Sequence, residues 1–387
     1  MSNKKLSVLM VTGVYYPEVN GATLQCMRVI STLKKDVNFS VLTTTKDKNI
    51  AKNNVIDGID VYRHYIGNRL GKFSQLFGIS WIFFTKKIDI VHLHGFSSRS
   101  ALIVLISKIF NKKVIIKMTS FGHDDAISIR NKGRLFFYIF SLADFCIGVS
   151  PIFNRMYLKS GLSKCKYHQI PNGVNTNFFK PLLDSDKDRS KLRTELGLPV
   201  NMKLILVVGH FSVEKSMDHV LDAWLNLQKF SNCQSGLVFI GNTDSNAFEV
   251  DNNLVRLMRT KASPFLGKNI FFIEKSNNIE KYYQTSDIYV LPSSREGLPN
   301  TLLEAMSCAL PVISTKLDGI TDWIIKHEVN GILYDHGDIS TLTLFLSGLL
   351  QDKNLSTSLG IKARKTIKVD FDISSTADRI YNFYKGL

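Results

Sequence analysis

Two carboxylates, Glu296 and Glu304, stand on either side of a loop-to-helix corner in the stretch Ser293 to Thr315, SSREGLPNTLLEAMSCALPVIST. Pro299 has no amide hydrogen and a preset φ, so it suits the first position of a helix through Thr301, Leu302, Leu303, Ala305 and Met306. That leaves Glu296 in the loop and Glu304 on the helix. Gly297 lets the loop backbone come close to a ligand, and the free amides near Asn300, Thr301 and Leu302 sit at the positive end of the helix dipole. Such a corner attracts phosphate. The rise from Pro299 to Glu304 is about 7.5 Å at 1.5 Å per residue, so an anion at the helix tip puts Glu304 beside whatever flanks it. A nucleotide diphosphate-sugar has this layout of sugar, diphosphate and ribose. Ordinary capping chemistry also places Glu and Pro at helix starts.

The elements around the corner narrow the choice. An apolar strand, Ile288 to Leu291, runs into it and a second, Leu310 to Ser314, leaves it. Another buried strand, Leu204 to Gly209, delivers His210 to Lys215 as a loop before a helix at Asp218 to Leu227. Near the start of the chain, Leu6 to Thr12 reads as a buried parallel strand that opens into a loop ending at Gly21. A helix follows at Ala22 to Lys34. Strand, glycine loop and helix is a phosphate-facing geometry.

With these residues in place, E-G-L-P-N-T-L-L-E-A-M followed by A-L-P-V-I-S-T resembles the E-x7-E donor-site motif of glycosyltransferase family 4, retaining enzymes of the GT-B fold. The resemblance covers nearly the whole chain and is closest from Gly209 to Asp338. It implies an α/β protein of two facing Rossmann-like, doubly wound parallel-sheet domains with a cleft between them. Residues 1–182 would bind acceptor and 183–365 would bind donor, with the terminal helix 366–387 packing back on the first domain. Leu182 to Ser190, rich in aspartate, reads as the polar linker.

The resemblance also implies roles. Lys215 would hold phosphate, together with the backbone from Gly297 through Leu298, Pro299, Asn300 and Thr301; Glu296 would hold sugar hydroxyls and Glu304 the ribose. The backbone at Ile273 and Glu274 would touch the base, and Gly21 would let the first domain's loop approach the donor. Catalytic candidates are Glu296, Lys215 and His123, the last standing in for a donor-contacting histidine of the family. His94, in D-I-V-H-L-H-G, and Asp124 are the acceptor-side candidates, while His92 would face the core. The chain departs from the family pattern at His210, where arginine is usual, at Ser216 and Ala309, and at Lys117-Met118-Thr119. A histidine lacks the fixed bidentate fork of arginine, so Lys215 and the helix amides would carry most of the leaving-group charge.

Length and charge bound the remaining choices. The 387 residues, 44% of them hydrophobic, suit two globular domains. Residues 1–182 carry 26 Lys and Arg against 9 Asp and Glu, whereas the rest carry 23 against 24, so the net charge of +16 lies in the first half. A basic lobe beside a neutral one implies an anionic partner for that lobe. No nucleic-acid-binding signature is present, and a glycan or lipid-linked acceptor, or an anionic membrane surface, fits better. The aromatic and basic segment Leu70 to Ile88 has the composition of a membrane-surface helix, but reads first as a core helix with snorkelling lysines. No run reaches the ~18 apolar residues of a span, and the N-terminus reads as a first strand rather than a signal peptide. Cys26, Cys146, Cys165, Cys233 and Cys308 show no metal or redox spacing and suit reduced thiols of a cytoplasmic protein. No metal and no cofactor beyond the nucleotide sugar is expected. Rival readings are a glycoside hydrolase using Glu296 and Glu304 without nucleotide, a non-catalytic nucleotide-sugar-binding subunit, and a sugar epimerase on the same fold.

Overall fold

The structure, a computed structural model, describes residues 5–67, 71–182, 186–230, 234–243, 250–274 and 276–387, with the backbone alone at 71–76, 186 and 230. Cys233 and the middle of the expected linker, residues 183–185, lie outside the described residues. The chain forms two units, Met1–Gly173 with Ile373–Leu387, and Val174–Asp372.

In the first unit the strands are β1 (Ser7–Val11), β2 (Asn38–Thr45), β3 (Asn53–Ile56), β4 (Ile59–Tyr65), β5 (Ile90–His94), β6 (Lys113–Met118), β7 (Phe145–Gly148) and β8 (Tyr167–Gln169). They lie in the order β3-β4-β2-β1-β5-β6-β7-β8, all parallel except the β3–β4 pair. Central strands such as VLMV and VII are buried on both faces, as a parallel sheet covered by helices requires. On one face Val29 and Ile30 of helix Gly21–Leu33 meet Met10, Ile90 and Ile115 of the strands. Ala377, Ile380 and Tyr384 of the terminal helix Ile373–Lys385 join the same core.

The second unit holds β9 (Lys203–Val208), β10 (Ser235–Ile240), β11 (Ile270–Ile273), β12 (Ile288–Leu291), β13 (Val312–Thr315) and β14 (Ile332–Tyr334). Their order is β11-β10-β9-β12-β13-β14, with every pairing parallel. The sheet order reverses between β9 and β12, so the loops after these two strands leave the sheet side by side, at the kind of crevice where open α/β sheets take ligands.

Three boundaries differ from the sequence expectation. The chain passes between units at Gly173–Val174 and Asp372–Ile373 rather than at 182 and 365. Residues 174–179 belong to the second unit because the Val174 amide donates to the Phe371 carbonyl, Thr176 to Asp372, and Ser307 to the Phe179 carbonyl. The acidic stretch read as linker continues as a helix, Asp186–Glu195. Arg189 and Arg193 on it anchor to the Thr285 carbonyl and the Asp287 carboxylate. Finally, the terminal helix expected at 366–387 starts later, at Ile373: its first residues belong to helix Lys353–Asp370, and the break before Ile373–Lys385 falls where the chain changes unit.

The segment Leu70 to Ile88 forms helix Gly71–Thr85. Ile79, Ile82 and Phe83 enter the core, but Phe77, Trp81 and Phe84 are exposed, so the core reading holds for one face only.

Candidate functional site

In the second unit, two loops that the sequence separates by about eighty residues are held together. After β9 the chain makes a tight turn, Val213–Lys215, and Ser216 takes a left-handed φ of +46°. That backbone accounts for the glycine usual at this position in the family pattern. Here Ser216 Oγ is fixed instead by the Val213 carbonyl and by His336 Nε2, each at 3.0 Å. The turn is stitched to the loop after β12. The Ser294 amide donates to the Glu214 carbonyl at 2.8 Å, and Arg295 pairs with the Glu214 carboxylate. Lys215 Nζ donates to Glu296 Oε1 at 2.5 Å. The Lys215 side chain is 28% exposed and that of Glu296 10%, so the pair is largely withdrawn from water.

Past Gly297 and Leu298, both buried, helix Asn300–Ser307 begins. Pro299 flanks this helix rather than opening it: its ψ of 111° is extended, and its carbonyl accepts from the Leu303 amide at 3.3 Å. The amides of Asn300 and Thr301 therefore occupy the first helical positions. Thr301 is positioned by the Tyr289 hydroxyl at 2.7 Å. Glu304 is 5% exposed, and the Tyr283 hydroxyl donates to its Oε2 at 3.0 Å. Burial, with the Glu304 charge next, pushes the Tyr283 hydroxyl well above its ordinary range, so it remains a donor at any working pH. The helix ends at Ala309, a non-glycine residue at φ +59°. Ala309→Gly is expected to raise stability by about 0.5 to 1 kcal/mol, the left-handed cost less the added freedom of the unfolded chain. An unchanged or lower urea midpoint would show that the strand-side packing, not the backbone, governs this turn.

The remaining donor-side candidates flank this frame. His210 is half-buried in the loop between β9 and this turn. Ile273 closes β11, and the exposed Glu274 accepts from Thr243 Oγ1 at 2.8 Å. A Cβ on Gly241 would lie 1.8 Å from the Gly209 carbonyl oxygen, so the strand ends beside the turn approach as closely as backbones allow.

In the first unit, Gly21 opens its helix under an Asn20 cap, whose side chain accepts from the Thr23 amide at 2.9 Å. His92 is fully buried, with Nδ1 2.5 Å from the Tyr384 hydroxyl, and burial pushes its pKa down to about 3. His94, 7% exposed, stacks on it at 4.7 Å. Beside His94 in register is Lys117, wholly buried, whose ammonium has no hydrogen-bond partner among the described residues; neither ring nitrogen of His94 has one either. Burial lowers the Lys117 pKa to about 8.

His123 is exposed, and its carbonyl accepts from Lys132 Nζ at 2.6 Å. Asp124 turns inward instead. Its carboxylate accepts from the Thr119 and Ser120 amides and from Thr119 Oγ1, and burial pushes its pKa up to about 6. Asp125 caps helix Ala126–Asn131 through the Ser128 amide. The adjacent aspartates thus organise their own loop, and no group of three or more metal-ligating side chains occurs among the described residues.

Sequence reasoning missed Tyr283 and the Glu214–Arg295 pair, and it marked Lys117 only as a departure from the family pattern, not as a buried ammonium. Tyr283 had a weak signal, a tyrosine on the helix preceding β12; the pair and the burial of Lys117 become visible only through tertiary contact.

Two parallel α/β units of this kind define the GT-B class. The family model described as Glycosyl transferases group 1 matches residues 188–366, and that described as Glycosyltransferase Family 4 matches residues 19–178. An uncharacterized glycosyltransferase, MJ1178 of Methanocaldococcus jannaschii, is 26% identical over 93% of each chain. The UDP-Gal:alpha-D-GlcNAc-diphosphoundecaprenol alpha-1,3-galactosyltransferase of Escherichia coli is 29% identical over 57% of this chain and 54% of its own. The chain spans about half the length of several curated relatives it matches. Among solved structures, Anabaena Alr3699/HepE in complex with UDP superposes with a TM-score of 0.79 at 17% identity, over 99% of this chain and 100% of that one. The chain belongs to the group 1 glycosyltransferases, family 4.

Proposed function

We propose that this glycosyltransferase moves a hexose from a nucleotide diphosphate-sugar to a hydroxyl acceptor, with retention at the anomeric carbon and without a metal. The observation that carries this reading is the Lys215–Glu296 pair beside the start of helix Asn300–Ser307. It gathers a cation, the amides of a helix N-terminus and a carboxylate in one place, as a sugar diphosphate requires. Lys215, the Asn300 and Thr301 amides and His210 hold the diphosphate. Glu296 orders the sugar hydroxyls while Glu304, aimed by Tyr283, takes the ribose, and the backbone at Ile273 and Glu274 takes the base. The departing diphosphate accepts the acceptor's proton, and stabilising its growing charge supplies the catalysis. On the first unit, Gly21 approaches the donor, His123 contacts the sugar, and His94 and Asp124 line the acceptor side.

Uridine is the base to test first, since the Anabaena neighbour is described in complex with UDP. A lipid-linked or cell-surface glycan is the proposed acceptor, supported by the diphosphoundecaprenol substrate in the Escherichia coli relative's name and by the basic first half. No helix among the described residues is long and apolar enough to cross a membrane. Exposed Phe77, Trp81 and Phe84 beside Lys86 and Lys87 support peripheral attachment at the cytoplasmic face of an anionic bilayer.

The test is thermal stability against nucleotide diphosphates and their sugars without added metal. A ligand at ~100 times its Kd stabilises by about 2.7 kcal/mol. Glu304→Ala is expected to weaken donor binding by roughly 1 to 3 kcal/mol through the lost charged hydrogen bond. Equal affinity in that variant would remove Glu304 from the ribose. No shift with any nucleotide in the wild type would overturn the donor reading.

A further inference from the structure

The first unit holds a cavity of about 620 Å3 that none of the roles above uses. It opens at the carboxyl ends of β2 and β4, where Thr45 and Tyr65 close their strands, and helix Gly71–Thr85 forms its other wall. This is the sheet edge at which open α/β folds take ligands. The site lies one to two strands from β1, about 5 to 10 Å to the side of the loop that leads to Gly21.

The lining is cationic and aromatic together. Lys48, Lys52 and Arg63 supply the charge, with His64, whose pKa burial and then the Lys52 charge push down, as a polar neighbour, against a single carboxylate, Asp47, which already accepts from the Asn49 amide at 2.8 Å. Arg63 is the most telling of these. It is 3% exposed, yet among the described residues its guanidinium meets neutral oxygens only, the Ala51 and Tyr16 carbonyls and the Asn54 side chain, and its Nε has no partner. A buried guanidinium hydrogen-bonded to no carboxylate, with the Glu18 charge acting on it only through space, leaves positive charge behind the cavity wall. The aromatic side is formed by Tyr62, Tyr65 and Trp81. Trp81 packs edge-on to Tyr62 at 6.0 Å and is 52% exposed, while Lys48 lies over the Tyr65 ring at 5.6 Å. His64 reaches the wall because residue 78 is glycine: a Cβ there would stand 2.0 Å from His64 Cε1.

We infer that this cavity is an acceptor subsite for an anionic sugar, one carrying a carboxylate or phosphate, set to the side of the hydroxyl that is glycosylated. The inference rests on the transferase reading, because the acceptor is assigned to this unit. Aromatic faces receive the apolar face of a pyranose, and the lysines and His64 receive its acid group. A neutral sugar uses only the first of these, and a bare anion only the second.

The experiment is ligand-observed saturation-transfer NMR on the full chain with glucuronic acid, glucose 6-phosphate, glucose and inorganic phosphate, with vesicles of anionic phosphatidylglycerol as a separate arm. The two acidic sugars are expected to bind at least about tenfold more tightly than glucose or phosphate, a charge-assisted hydrogen bond being worth about that factor. Lys52→Gln and Trp81→Ala, both at the cavity and away from the donor site, are expected to lose most of that preference. UDP-induced thermal shifts, measured in parallel, are expected to be the same in both variants and the wild type. Equal binding of glucose and glucuronic acid, or a preference untouched by both substitutions, overturns the subsite. Vesicle binding without acidic-sugar binding overturns it too, and assigns the patch to a membrane. A missing UDP shift in the wild type is instead a failure of the donor reading, and the NMR comparison still decides the cavity on its own.

Discussion

Lys215→Met is expected to lower the rate of sugar transfer by about 10²- to 10³-fold, the usual cost of removing one fixed donor from a developing anion. The size follows from what the site lacks. With His210 where the family pattern has arginine, no bidentate fork is present at that position, so in the proposed reaction one ammonium and the helix amides carry most of the leaving-group charge, with His210 as a weaker donor. An ammonium offers three donors, and Glu296 takes one at 2.5 Å. The variant should fold normally, since the turn is fixed by the Ser294 amide and Arg295 on Glu214, not by the lysine side chain. Hydrolysis of the donor by water can be followed as release of nucleotide diphosphate, so the measurement needs no acceptor. A rate within threefold of the wild type would remove Lys215 from the chemistry.

The partner substitution sharpens the test. Glu296→Gln keeps the shape of the loop and removes the charge that holds Lys215. If the two side chains work as one unit, the double variant loses much less than the product of the single losses, because either change alone already dismantles the pair. Independent losses would mean that the 2.5 Å contact is a resting arrangement which donor binding breaks.

The Glu296–Glu304 corner was legible because its chemistry is local: a strand, a glycine, a proline and a helix within one short stretch. What was not legible depends on distance. Nothing in composition indicates that Lys215 and Glu296 touch, or that Tyr283 aims Glu304, since these pairs form only once β9 and β12 lie side by side. The unit boundary was misread for a related reason. Polarity at 182–190 resembles a linker, but Arg189 and Arg193 turn it into an anchored helix. The actual passage at Gly173–Val174 carries no polar run. It is marked by tight packing, as a Cβ on Gly173 would stand 2.7 Å from the Ile373 backbone. The Ser216 substitution could be seen in the sequence, but its backbone cost and its bond to His336 could not.

Lys117→Met is expected to stabilise the protein at neutral pH, against the usual direction for a change in a buried strand. The Lys117 ammonium is fully buried without a hydrogen bond, and burial lowers its pKa from 10.5 to about 8. At 1.36 kcal/mol per unit, the charged lysine costs the folded state about 3 kcal/mol at pH 7. The sign follows from proton counts. Between pH 8 and 10.5 the unfolded chain holds the proton that the folded chain has released, so wild-type stability rises with pH across that window and levels off above it. Below pH 8 both forms are protonated and the full cost is felt. Methionine matches the volume, carries no charge, and should remove both the cost and the slope. Urea midpoints at pH 7, 8, 9 and 10 check this, with the largest gain at pH 7 and a gain that shrinks toward pH 10. Loss of stability at pH 7 would mean that the ammonium has a partner on the folded side, with neighbouring His94 the group to examine. His92, pushed down to about 3, gives the opposite end of the profile. Stability should fall as pH drops below 6.5, where the unfolded chain takes up a proton that the buried ring, held by Tyr384, refuses. Burial, the larger cause, remains in Lys117→Met, but the Lys117 charge also pushes His92 and His94 down, so the acid limb is expected to persist and to weaken while the alkaline slope disappears.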